Sequence, residues 1–577
     1  MAARLTAYVV VGIVAATLIA GLMVGAQRDD SDGPIDIIIH NAAIYTAGPD
    51  AEMAEALAIR GNQILRVGSE REILRLRRPQ TSVIDARGAA VLPGFNDAHL
   101  HPINGGISLR RVDLSGAATT EDVEARIKEW AAQHGDAAWV LGGGWSYDVF
   151  PGGLPTRQQL DAIVPDRPAQ ILSYDKHTAW VNTKALKLAG ITKRTPNPAQ
   201  GVIVKDPRTG EPTGVLKEAA IQLVSKHVPA LTKADRSSAL RDALGEAHRF
   251  GITSVQSTGD TVEDLDLYAE ARKAGDLNLR VYSALAVDRP VDEKQLTDLA
   301  ATLAEYPDDP LLKAGAIKLT LDGVVESNTA VMLEPYASAP TSGTPSIDTD
   351  EFNRLVRLLD ARGWQVMTHA VGDGAVRMAL NAYEHAVRSN PRPERGRRHR
   401  VEHAEFVDAA DVPRFGALGV VATMLPFHGS PSPAQIDLWS RNLGPERAAR
   451  GWPYASIAAK AGRVAFGSDW PGLPLDPMQV LHTAVNRTTP ENLPEEGWNP
   501  GERMALEPAI DAYTSGAAWA SFDEQRKGHL AAGMLADVVV LSENIFDAPT
   551  ARLASTRVRM TIFDGKIVYR RDGQSTN

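Results

Sequence analysis

Hydrophobic and polar positions fall into three regimes along this chain. The first is an uncharged run, Leu5–Ala26, with Arg4 before it and Arg28, Asp29 and Asp30 after it. It has about the ~20 residues that a membrane-spanning helix needs. Val24-Gly25-Ala26 also has the small-residue character of a signal cleavage site. The run exceeds the ~7–15 apolar residues of a signal core, so a retained anchor is the preferred expectation and a cleaved signal the alternative. Either reading puts the chain from Ile35 onward on the outer side of a membrane, periplasmic or extracellular.

The second regime is short apolar runs bounded by Gly, Pro and Asp at both chain ends. Ile35–Ile39, Glu55–Arg60, Gln63–Gly68 and Val83–Asp85 read as strands, as do Asp537–Leu541 and Val558–Tyr569, the latter folded by a hairpin at Asp564-Gly565. One β-domain built from both termini is expected. The third regime alternates strand and helix patterns. Strands are expected at Phe95–His101, Thr253–Gln256, Arg280–Leu285, Ala316–Leu321, Gln365–His369, Arg400–Glu405, Val420–Pro426 and Arg463–Ser468. Helical periodicity separates most of them, for example at Arg236–Phe250 and Gly374–Arg388. The expected fold class is α/β, a (β/α)8 barrel. The expected domains are 1–33 (anchor or signal with linker), 34–92 (first half of a β-sandwich), 93–525 (barrel) and 526–577 (second half of the sandwich). Residues from about 104 to 231 interrupt the barrel and read as an insertion over its mouth.

Composition narrows the chemistry. The 577 residues carry 61 basic and 71 acidic side chains, a net charge of −10, which argues against nucleic acid as a partner. There is no cysteine, so any metal must use His, Asp, Glu or a modified Lys. No Gly-x-Ser-x-Gly motif supports a serine hydrolase.

Polar residues gather at the C-terminal ends of the expected barrel strands, where such barrels keep their active sites. Strand one ends in His99 and His101, which share a face because strand side chains alternate. Strand four ends near Lys318, strand five at His369, strand six at His403 and strand eight at Asp469. Four histidines and an aspartate converging there suit zinc or a similar divalent ion better than calcium or magnesium. A free lysine ammonium has no lone pair for a metal. The plain alternative for Lys318 is an ion pair with Asp322 or Glu326.

In this combination, PGFNDAHLHP (93–102), HAVGD (369–373), the EH of strand six and GSDWPGLPLDPM (467–478) resemble the metal-ligand pattern of the amidohydrolase superfamily. The nearest likeness is to its amidohydrolase 3 (YtcJ-like) group, which includes N-substituted formamide deformylases. DKHTAWVNTKAL (175–186), GITSVQSTGD (251–260), IKLTLDGVVESNTA (317–330) and KGHLAAGMLADVVVL (527–541) extend the resemblance across 35–569.

The resemblance implies a distorted (β/α)8 barrel with a β-sandwich formed from both termini. It implies a hydrolase in which a metal-activated hydroxide cleaves a small, non-peptide C–N bond, with Asp469 as proton carrier. It further implies two zinc ions per chain. His99, His101 and Asp469 would hold one, His369 and His403 the other, and a carboxylated Lys318 would bridge them. His177, Trp180 and His428 become candidate substrate contacts. Leu425 stands where the family often has Gln. A mononuclear deaminase of the same superfamily and a non-catalytic binding barrel are the alternatives. A small-molecule substrate, membrane attachment through the N-terminal segment and a homodimer complete the expectations.

Overall fold

The computed structural model describes residues 34–174, 176–287, 291–460 and 462–571. The apolar run Leu5–Ala26 lies outside them. Among the described residues no helix is long and apolar enough to cross a membrane.

Eight parallel strands make the central sheet: β1 Phe95–Leu100, β2 Ile252–Asp260, β3 Arg280–Ala286, β4 Leu312–Thr320, β5 Gln365–Ala370, β6 Arg400–His403, β7 Val421–Met424 and β8 Arg463–Phe466. Each pairs with its sequence neighbour, from β1 through to β8. The seam between β8 and β1 is closed just beyond the strand ends: the Asp469 amide donates to the His99 carbonyl (2.7 Å) and the His101 amide to that of Trp470 (2.9 Å). Closure brings the backbones so near that a Cβ on Gly467 would lie 2.6 Å from the His99 nitrogen. Glycine is required there for close approach, not for a special turn.

The expected strand set is recovered, with shifted ends. Strand β6 stops at His403 because His403 and Ala404 turn into the left-handed region (φ 73° and 47°), which ends the ladder. The barrel interior departs from the usual Val/Ile/Leu filling. Arg400, Glu402 and Gln256 are all fully buried. The large apolar core lies instead between the sheet and its surrounding helices.

The β-sandwich is present as two sheets. Gln63–Gly68, Ala56–Arg60, Ile37–His40 and Ser82–Asp85 form one of four strands. Lys566–Arg570, Val558–Phe563, Val538–Leu541, Ala90–Pro93, Ala43–Tyr45 and Met53–Ala54 form the other, of six. Only the second mixes the two termini. Ile39, Leu57, Ile59 and Val91 pack with Val538, Val540 and Ile562 to close the space between the sheets. Ala90–Pro93 belongs to the sandwich, and one residue later the chain enters β1. At that junction a Cβ on Gly94 would collide with the Thr253 side chain (2.2 Å).

The segment between β1 and β2 is a folded unit. Val112–Asp113, Val140–Trp145, Ala169–Ser173, Thr178–Val181, Pro212–Glu218 and Gly201–Lys205 form a six-stranded mixed sheet in that spatial order. It has apolar clusters of its own, around Trp145 and Trp180 on one side and Leu186 and Leu216 on the other. The helix Pro102–Leu109 roots it on the strand-end face of the barrel. Gly105 of that helix lies against the Trp470 ring, next to Asp469.

Candidate metal centre

The six side chains singled out at the strand ends do converge. His99, at the end of β1, is buried, whereas His101, which caps the following helix, is partly exposed. Both direct Nε2 at Asp469 Oδ1, at 3.7 and 3.3 Å. His403 packs against His99 and His369, with ring centres 5.0 and 4.2 Å apart. Lys318 enters this cluster with Nζ 3.4 Å from His99 Nε2.

The ion-pair alternative for Lys318 fails because both acids are otherwise engaged. Asp322 accepts the amides of Val331 (2.9 Å), Val371 (3.0 Å) and Gly372 (3.0 Å). Glu326 accepts from Gln435 (2.7 Å) and Trp439 (2.8 Å).

His428, on the turn after β7, joins the group. Its Nε2 is 3.2 Å from Asp469 Oδ2 and its Nδ1 is 3.2 Å from Glu405 Oε1. Asp469 is thus gripped on both oxygens, and its backbone sits in the left-handed region at φ 59°. Strain of that kind in a non-glycine residue costs about 1–3 kcal/mol and persists where surrounding contacts over-determine it.

Electrostatics follow from burial and crowding. Burial pushes His99 down to about 4 and His369 down to about 3, and the Lys318 charge adds to both. Burial also drives His403 well below its ordinary value, with His369 and His99 adding. These imidazoles are neutral at pH 7 and keep a lone pair for a metal. Burial lowers Lys318 to about 8. Asp469 is held well below the usual carboxylate range: burial opposes its charge, but hydrogen bonds from His101 and His428 outweigh it. Those partners act reciprocally on His428. Burial works against its charge, yet hydrogen bonds to Asp469 and Glu405 raise it to about 10, making it a cation at neutral pH.

These residues fit a divalent ion. Donor atoms of His99, His101 and Asp469 lie within 4.8 Å of one another. Those of His403, His428 and Asp469 lie equally close, but His428 as a cation offers no lone pair to a metal. The buried Nδ1 of His403 has no hydrogen-bond partner. Neutral imidazoles with a carboxylate are a donor set that zinc accepts.

Two expected substrate contacts are placed elsewhere. Trp180 is fully buried in the insertion, its ring against Phe150 (5.4 Å) and its Nε1 donating to the Thr156 carbonyl (2.8 Å). Its motif packs the insertion's own core. His177 is exposed and pairs with Glu218 (3.0 Å), apart from the side chains that meet Asp469. Sequence reasoning missed Glu402, Glu405, Arg400 and Gln256. The available signal was RVEHAEF, in which charged residues occupy alternate positions of a strand expected to be apolar on both faces.

Fold and site together define a barrel hydrolase of the metal-dependent class. The chain belongs to the amidohydrolase family, whose profile matches residues 82–569. It is 32% identical to the protein LONG AFTER FAR-RED 3 of Arabidopsis thaliana, over 92% of this chain and 91% of that one. It is 28% identical to the N-substituted formamide deformylase of Arthrobacter pascens, over 93% of this chain and 99% of that protein. The crystal structure of an uncharacterized metal-dependent hydrolase from Pyrococcus furiosus superposes with a TM-score of 0.67 at 28% identity, covering 87% of this chain and 97% of that one.

Proposed function

We propose that this protein hydrolyses a non-peptide C–N bond of a small N-acyl compound, a formamide being the first class to test. The observation that carries this reading is Asp469: an ionised carboxylate flanked by His99 and His101 on one oxygen and by His428 on the other. In this reading His99, His101 and Asp469 would hold one divalent ion, and His369 and His403 would hold a second, with a carboxylated Lys318 as a further ligand. Such ions supply Lewis acidity, which acidifies water and polarises an amide carbonyl.

The chain's own groups do the proton work. Asp469 is ionised at neutral pH and accepts the proton of the attacking water. It then delivers that proton to the departing nitrogen, which leaves poorly as an anion. His428, a cation fixed between Glu405 and Asp469, orients the Asp469 carboxylate. Its side chain is 23% exposed, so it also faces incoming substrate. The similarity to an N-substituted formamide deformylase supports the choice of substrate class.

The test is a panel of N-substituted formamides, other small N-acyl amines and amino-purines offered to zinc-loaded protein, with products identified by mass spectrometry. Release of a free amine and a carboxylate supports the proposal. Release of ammonia from an intact carbon skeleton would establish the deaminase reading instead. Zinc binding without turnover of any class would point to a binding barrel. We further propose that the N-terminal segment holds the protein at the outer face of a membrane. Full-length chain in the membrane fraction, with 34–577 released, would support that placement; full-length chain in the cytosolic fraction would sink it.

A further inference from the structure

Below the histidine cluster, the barrel interior carries a line of charge that the proposed reaction does not use. Arg400 and Glu402 alternate on β6 and point inward together. Arg400 clasps Glu402 through two nitrogens, Nε to Oε1 (2.7 Å) and Nη2 to Oε2 (2.8 Å). The guanidinium also donates to Gln256 Oε1 on β2 and to the Ala98 carbonyl on β1 (2.6 Å). Gln256 in turn donates to the Ala517 carbonyl on the helix Ser515–Ala520 (2.7 Å). At the top of the line, Glu402 Oε2 lies 2.5 Å from His99 Nδ1. Glu402, Arg400 and Gln256 are fully buried and His99 nearly so.

A buried ion pair is weak evidence for stability, since apolar residues of like volume fill such a space as well or better. Its geometry has a more specific effect. A carboxylate accepting at Nδ1 puts the imidazole proton there and leaves the lone pair on Nε2. That nitrogen is the one facing Asp469 and Lys318. The neighbouring His403 is the contrast: its Nδ1 makes no hydrogen bond, and the nearest Glu405 oxygen is 3.8 Å away.

We infer that Glu402 is a positioning residue, braced by Arg400 and Gln256, that sets the tautomer and ring angle of His99 so that Nε2 stands ready as a metal ligand. This rests on the reading of His99 as a ligand. Carboxylates that orient a ligating histidine are worth about 10–100-fold in metal affinity.

The experiment measures zinc affinity by competition with a chromophoric chelator on full-length parent, Glu402→Gln and the double variant Arg400→Leu/Glu402→Leu. The double variant removes both charges and leaves neither unpaired, so it guards against misfolding of the single one. Circular dichroism of the metal-free proteins reports the fold. Both variants are expected to bind zinc about 10–100-fold more weakly than parent and to show an altered visible spectrum with Co(II). A folded variant with parental affinity and spectrum would overturn the inference. A parent that binds no zinc would overturn the ligand reading itself, a distinguishable failure. Independently of either variant, the nitrogen-15 spectrum of histidine-labelled, metal-free parent is expected to show His99 protonated on Nδ1. Protonation on Nε2 would overturn the assignment.

Discussion

Truncating Lys318 to Ala is the most informative perturbation of the site. An ordinary lysine amine, at 10.5, is about 0.3% neutral at pH 8, whereas one lowered to about 8 is about half neutral. Burial in the barrel interior therefore enlarges the neutral fraction able to combine with carbon dioxide, on the order of 100-fold. A carbamate formed at Lys318 would be an anion with two oxygen donors amid neutral imidazoles, where the free ammonium has none. Among the described residues no carboxylate lies within ion-pair distance of Lys318; Glu402 is held by Arg400 and Asp469 by its histidines, so Lys318→Ala is expected to fold. The assay is elemental analysis of metal per chain after reconstitution with zinc and bicarbonate, beside intact mass of the parent for one added carbon dioxide. The parent is expected to hold two ions and Lys318→Ala one or fewer. Two ions retained in the folded variant would refute the reasoning, as would a parent that never exceeds one.

Three further outcomes follow from the geometry. Asp469→Asn removes the proton carrier and is expected to lower kcat by about 10²–10⁴-fold; pre-steady-state kinetics with product analysis checks this, and a loss confined to KM would contradict it. Trp180→Phe is expected to cost about 1–3 kcal/mol of stability through a lost hydrogen bond and lost packing, with KM unchanged. Denaturant titration and steady-state kinetics test both halves, and a raised KM would return Trp180 to the substrate wall. Asp360 is held well below the carboxylate range: burial opposes its charge, but hydrogen bonds from His399, Arg397 and Asn390 outweigh it. Its folded value lies below its unfolded one, so its contribution is present above pH ~4 and lost as pH falls further. Thermal melts of metal-free protein from pH 7 to 3 are expected to fall more steeply for parent than for Asp360→Asn, and equal slopes would contradict the assignment.

Much of the architecture was legible because each barrel strand is a short apolar run ending in a polar residue, and the ends could be aligned before any geometry was known. Strand β1 shows the strength of this: the period-two rule alone put His99 and His101 on one face, and both reach Asp469. Strand β6 shows its limit. Spacing cannot reveal that Glu402 turns under a histidine more than 300 residues earlier, because that contact exists only once the sheet closes. Ala43–Tyr45 and Met53–Ala54 were missed because two or three residues carry too little periodicity to register. Trp180 shows another limit: a family-like motif does not distinguish a substrate contact from packing, and here the tryptophan packs in the insertion's own small core.

The mixed sheet of the sandwich has a consequence for how this protein is made. Asn62 bonds to Asp564, a residue 502 positions later. At ~5–20 residues per second, roughly 25–100 s separate their synthesis. Through most of that interval the strand Ala90–Pro93 lacks its antiparallel partner Val538–Leu541, although it leads directly into the first barrel strand. The nascent chain thus exposes an unpaired edge until its last tenth appears. Shortening the C-terminus is therefore expected to lower the yield of folded protein before it alters the strand-end site.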